Sequence, residues 1–123
     1  MSFPLPPALR RASEDYAAGL PRGEIARRVV ALTERYRSGR ASRGAIASRE
    51  DVAAYLLARL PATYAAVSAA LRASHRLMPT FAPLTLIDLC AGPGTASLAA
   101  LERWPALSEL ALIDANPILL DAA

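Results

Sequence analysis

Residues 84–95 read LTLIDLCAGPGT, an apolar run of strand length that closes on small residues and two glycines. Leucine, isoleucine and threonine suit a pleated, buried strand. Gly92 and Gly94 carry no Cβ, so the chain can turn sharply there and a ligand can lie against the backbone. Helical spacing returns over 96–104, Pro105 stops it, and ELALID at 109–114 is a second run of strand length. Asn116-Pro117 then starts another helix, since proline suits a first helical turn. Strand, glycine turn, helix, strand is one βαβ unit, whose two strands are parallel. The turn falls at the carboxyl end of the first strand, where open α/β sheets bind ligands. Asp114 ends the second strand, placed to accept hydrogen bonds from two ribose hydroxyls.

Upstream of residue 83 the period is helical throughout. Pro6-Pro7 opens a short helix that Gly19 and Pro21 close. Over 24–37, Ile25, Val29, Leu32 and Tyr36 recur at helical spacing on one face, with Arg27, Arg28, Glu34 and Arg35 largely off it. SGRASRG at 38–44 reads as a loop. Ser48 stands three residues before Asp51, which predicts a capped helix start. This helix is expected over 49–60, with Pro61 forcing a break and a second helix over 62–77. Tyr55, Arg59 and Tyr64 flank the break, and packing of this kinked pair against the sheet is the expected role, with cover over a ligand pocket at the glycine turn as the alternative. No apolar run approaches the ~20 residues a membrane span needs, the best stretch, 52–71, being interrupted by Arg59 and Pro61.

All 14 basic residues among the 123 are arginine. Without lysine, a P-loop that grips phosphate with lysine and a Schiff-base mechanism are both excluded. One cysteine, Cys90, and one histidine, His75, exclude a disulfide framework and a zinc cluster built from this chain. Cys90 is expected as a small filler of the turn, and His75 as a helix-end or surface residue. Residues 1–82 carry thirteen arginines against six acids, whereas 83–123 carry one arginine against five acids. Such asymmetry predicts a basic part facing a polyanion, and Arg27, Arg28, Arg35 and Arg37 are the candidate phosphate contacts.

The glycine turn discriminates between cofactors. A dinucleotide fingerprint begun at Gly92 requires glycine at 97, where the chain has Ser97. Read as D-x-G-x-G-x-G with Cys90 in place of the first glycine, the segment resembles class I S-adenosylmethionine-dependent methyltransferases. Asp88, Cys90, Ala91, Gly92, Gly94 and Asp114 are then the candidate cofactor residues. A Rossmann-like unit without cofactor is the alternative. TLIDLCAGPGTASLAALERWP followed by LIDANP, with LPPALRRA, IARRVVALTERYRSG and AYLLARLPATYAAV upstream, resembles the methyltransferase-like proteins of the small ribosomal subunit of bacteria and mitochondria.

That resemblance implies an α/β chain: an arginine-rich helical region, 1–82, then the first βαβ unit, 83–123, of a Rossmann-like class I methyltransferase fold left incomplete at its C-terminus. It implies S-adenosylmethionine as cofactor and the small subunit or its rRNA as partner, in the cytoplasm of a bacterium or in a mitochondrion. Its later catalytic motifs have no counterpart here, so this chain alone is expected to be inactive and catalytic residues stay unassigned. The rival expectation is a non-enzymatic RNA-binding assembly factor that keeps the fold as scaffold. An unpaired edge on the strand at 84–89 further predicts association between copies.

Overall fold

The structure, a computed structural model, describes residues 2–40 and 44–123; the middle of the predicted 38–44 loop lies outside them. Six helices and two strands follow in the order α1 (Pro7–Ala17), α2 (Arg22–Arg37), α3 (Arg49–Ala58), α4 (Leu60–Leu77), β1 (Thr85–Leu89), α5 (Thr95–Arg103), β2 (Glu109–Ile113) and α6 (Pro117–Leu120). The strands pair in parallel from Thr85 opposite Glu109 to Leu89 opposite Ile113. The chain is thus mixed helix and parallel sheet, roughly α/β.

Local chemistry accounts for the boundaries. Ser48 accepts from the Asp51 amide while the Asp51 carboxylate accepts from the Ser48 and Ala47 amides, a reciprocal cap on α3. The α3–α4 break falls at Arg59. Pro61 sits in the first turn of α4, where its missing N–H costs no hydrogen bond, so α4 begins slightly earlier than expected. The two helices bend by 49° there. Among the described residues no single helix is long and apolar enough to cross a membrane; only this bent pair meets the length and composition together. Asn116 caps α6 by accepting from the Leu119 amide, the helix-starting role expected of Asn116-Pro117.

α3 is the centre of the molecule. Val52, Ala53, Ala54 and Leu56 are all buried, with α1, α2 and α4 packed around them. Leu5, Leu32, Ile46, Val52, Leu56, Leu60, Tyr64, Ala99 and Leu119 form one continuous core, so side chains from both ends of the chain share it. α4 lies along α5, not on the sheet, which corrects the expected packing of the kinked pair. α5 covers one face of the two strands, and α4 packs on α5 in turn. Leu86, Asp88, Leu110 and Leu112 are half-buried on that side, whereas Ile87, Leu89 and Ile113 are 54–70% exposed on the other.

His75 lies in the last turn of α4, the helix-end position expected of it, and packs there on Trp104. The His75 ring meets the edge of Trp104 at 6.2 Å, and Phe81 meets Trp104 at 5.6 Å, each edge to face. His75 therefore joins the end of α4 to the end of α5.

Candidate functional site

The turn after β1 is built by three left-handed residues. Cys90, Gly92 and Gly94 have φ of 59°, 54° and 78°. Gly94 has no alternative: a Cβ there would stand 3.0 Å from Leu112 Cδ2, on a backbone that side chains rarely adopt. Cys90 does carry a Cβ in that region, at a cost of about 1–2 kcal/mol. Its side chain is exposed, so Cys90 occupies the turn without packing into it as a filler. Within the turn, the Ala91 amide donates to the Ile113 carbonyl and the Gly94 amide to the Ala91 carbonyl. Ala91 through Thr95 are buried.

The two strand-end acids fix this turn from opposite sides. Asp88, on the α5 side, accepts from the Ser97 hydroxyl at 2.7 Å and the Ser97 amide at 3.2 Å, which ties β1 to the first turn of α5. Ser97, the residue that departs from the dinucleotide pattern, is thus bonded into the turn. Asp114 accepts from the Gly92 amide at 2.7 Å through one oxygen and from the Asn116 amide at 2.7 Å through the other. A carboxylate offers about four lone-pair positions, so each oxygen retains capacity for a ligand hydroxyl.

Cys90, Gly92 and Asp114 open onto a cleft of about 700 Å³. Its lower lip is the 115–119 segment. Its opposite wall comes from far away in sequence: Tyr36 at the end of α2, Ile46 and Ala47 before α3, and Tyr55 on α3. One side chain joins the two walls, since Asn116 Nδ2 donates to the Ile46 carbonyl at 2.8 Å. Of the six candidate cofactor residues, Cys90, Gly92 and Asp114 line the cleft. Asp88, Ala91 and Gly94 hold the turn behind it. A Cβ on Gly92 would meet no atom within 4 Å, so glycine leaves room there for a ligand. Thr95 Oγ1, at the end of the same turn, is buried without a hydrogen-bond partner.

Burial pushes the Tyr55 phenol above its ordinary range, with Tyr36 and Asp114 adding to the shift and Arg59 and a hydrogen bond with Thr63 working against it. Tyr55 therefore stays protonated at physiological pH. Tyr55 stands in the kinked pair for which cover over the cofactor pocket is the alternative reading, and it lines the cleft; Tyr36 and the Asn116 tie to Ile46 carry no such signal in the sequence. The 36–55 and 90–119 segments meet only in the folded chain, and no local spacing announces it.

The candidate phosphate contacts lie on α2 and differ in what already holds them. Arg27 pairs with Glu24, and Arg28 bonds to both Glu24 and Asp51, the latter at 2.8 Å. Arg27, then Arg28, hold the Glu24 carboxyl below its usual range. Burial works to raise Asp51, but the Ala47 amide, Arg28 and Ser48 outweigh it and the carboxyl lies below its ordinary value. Arg35 joins Arg28 and Arg40 around a second cavity of about 510 Å³, which shares Gly44 and Ala47 with the cleft. Arg37, the last residue of α2, is exposed.

A family model described as mitochondrial small ribosomal subunit Rsm22 matches residues 49–122, from the first residue of α3 to just past α6. No curated protein matches the chain by sequence.

Proposed function

Because the chain belongs to the mitochondrial small ribosomal subunit Rsm22 family, we propose that it works on or with the small ribosomal subunit and its rRNA as an S-adenosylmethionine-binding, methyltransferase-like protein. The observation that carries the cofactor half is the cleft at the strand ends, where Gly92 and the Asp114 carboxylate stand side by side, joined by the Gly92 amide. In this reading residues 83–123 carry the cofactor turn of a Rossmann-like unit, and the helices of 1–82 close the cleft and face the nucleic acid. Asp114 receives the ribose diol on its remaining lone pairs, and the turn from Cys90 to Gly94 lies along the rest of the cofactor. Bound there, S-adenosylmethionine supplies an activated methyl group. Asp88 holds α5 so that the turn keeps its shape.

The partner half rests on the family and on charge. The +7 balance of residues 1–82 suits a polyanion. With Arg27 and Arg28 partly neutralised by Glu24 and Asp51, exposed Arg37 at the end of α2 carries more of the contact than they do. The working place is the ribosome, in a mitochondrion or in the cytoplasm of a bacterial cell.

A second reading, a non-enzymatic assembly factor with the fold as scaffold, draws on two features. Both Asp114 oxygens already hold backbone amides, and Cys90 occupies a left-handed position that glycine fills without strain. Calorimetry separates the two. The cofactor reading expects S-adenosylmethionine to bind, and Asp114→Ala to cost about 1–3 kcal/mol as hydroxyls lose a charged acceptor. Equal affinity of variant and parent removes Asp114 from the site. No binding by the parent leaves the scaffold reading. Small-subunit rRNA should in either case bind less tightly as salt rises, and Arg27, Arg28, Arg35 and Arg37 changed together to Gln should flatten that slope.

A further inference from the structure

The wall of the cleft opposite Asp114 belongs to the helical region, and two of its residues are tyrosines. Tyr36 ends its helix with the Arg59 guanidinium 4.2 Å from the ring centroid, a cation–π contact that fixes the ring. The contact exists because the chain breaks at Arg59, where α3 and α4 bend by 49°. Tyr55 lies half-buried one turn earlier on α3, and both tyrosines line the same cleft as Gly92 and Asp114. The neighbouring surface is apolar, with Ile46 on one side and Pro117 and Ile118 on the other. A ligand suited to these walls is flat and apolar on its faces and hydroxylated at one edge, which is the chemistry of a nucleoside.

We propose that Tyr36 and Tyr55 are ligand-contact residues of this cleft, forming the aromatic wall against which the nucleobase packs while Asp114 takes the ribose hydroxyls. The inference rests on the reading of the cleft as a nucleoside-cofactor site and adds to it a contribution from the helical region. Tyr55 also offers its hydroxyl as a donor toward the ligand. Burial, working against Arg59 and a hydrogen bond with Thr63, holds that phenol above its ordinary range. Stacking of this kind depends on ring area and tolerates different bases. Arg59 holds the Tyr36 ring in advance, so little side-chain freedom is lost on binding.

Adenosine and S-adenosylhomocysteine are the probes, titrated by calorimetry into the full chain. Tyr36→Leu should weaken adenosine roughly tenfold, the loss of one base-stacking partner. Tyr36→Phe, which keeps the ring, should bind nearly as the parent does. Tyr55→Phe removes a single oxygen, leaves the packing intact and should weaken both probes about fivefold, the loss of one hydrogen bond. Parent-like affinity in both Tyr36→Leu and Tyr55→Phe, with Asp114→Ala still weakened, overturns the aromatic wall and leaves the nucleoside site standing. Failure of the parent chain to bind either probe overturns the nucleoside reading and the wall with it.

Discussion

The helical half and the strand half of this chain satisfy their apolar residues in different ways. α3 is surrounded: Val52 and Ala53 have no exposed surface, and Leu56 and Leu60 have almost none. The sheet is covered by α5 on one face only, and Ile87 and Leu89 on the other face are about 70% exposed. Strands of parallel sheets are usually buried on both faces, which is why they read as continuous apolar runs. β1 has that composition without that burial. The helical half buries its apolar residues, partly against α5 and α6, while the strand half presents an apolar face and paired strands with free outer edges among the described residues.

The largest effect expected from this contrast is on stability. Leu56→Ala should cost about 2–5 kcal/mol, because a buried leucine leaves a cavity. Ile87→Ala should stay within about 0.5 kcal/mol, as surface changes do. Denaturant unfolding of the two variants checks both numbers. A cost for Ile87→Ala comparable to that of Leu56→Ala would break the comparison and mean that the bare face is covered in solution. Light scattering sharpens it: association through this face or edge should decrease in Ile87→Lys.

The glycine turn comes next. Gly94→Ala should destabilise by about 1–3 kcal/mol, from a left-handed backbone and a Cβ pressed on Leu112. Cys90→Gly should go the other way by about 0.5 kcal/mol, since relief of the left-handed strain exceeds the added chain entropy. Thermal melts of the pair measure whether the Cys90 substitution is a net strain on the fold.

The smallest effect concerns pH and belongs to the helical half. The folded Asp51 carboxyl lies below its unfolded value, so its stabilising contribution is complete above the unfolded pKa. It is lost as pH falls from about 4 through the lower folded value. Asp51→Asn should therefore lose stability at neutral pH, by about 1 kcal/mol for a weakened cap, and show a flatter acid limb than the parent. Identical acid limbs would remove Asp51 from the account of α3.

What the sequence made legible was local. Period, prolines and the Ser48–Asp51 cap gave the helices to within a few residues, and LTLIDLCAGPGT gave strand, turn and helix start. The exposure of Cys90 and the placing of α4 on α5 were not legible. Both depend on which faces remain once α5 has taken the sheet. The cleft was half legible for the same reason. Gly92 and Asp114 lie in one strand–helix–strand unit, but their helical wall arrives through Asn116 and Ile46, seventy residues apart.

The central claim is that helical and strand halves meet around one nucleoside-cofactor cleft. Hydrogen exchange of the full chain with and without S-adenosylmethionine tests it most directly. The account predicts slowed exchange in both walls together, at 90–94 and 114–119 and also at 44–47 and around Tyr36 and Tyr55, with the bare sheet face unchanged. Slowing confined to the arginine surface of α2, or absent from both walls, would contradict it.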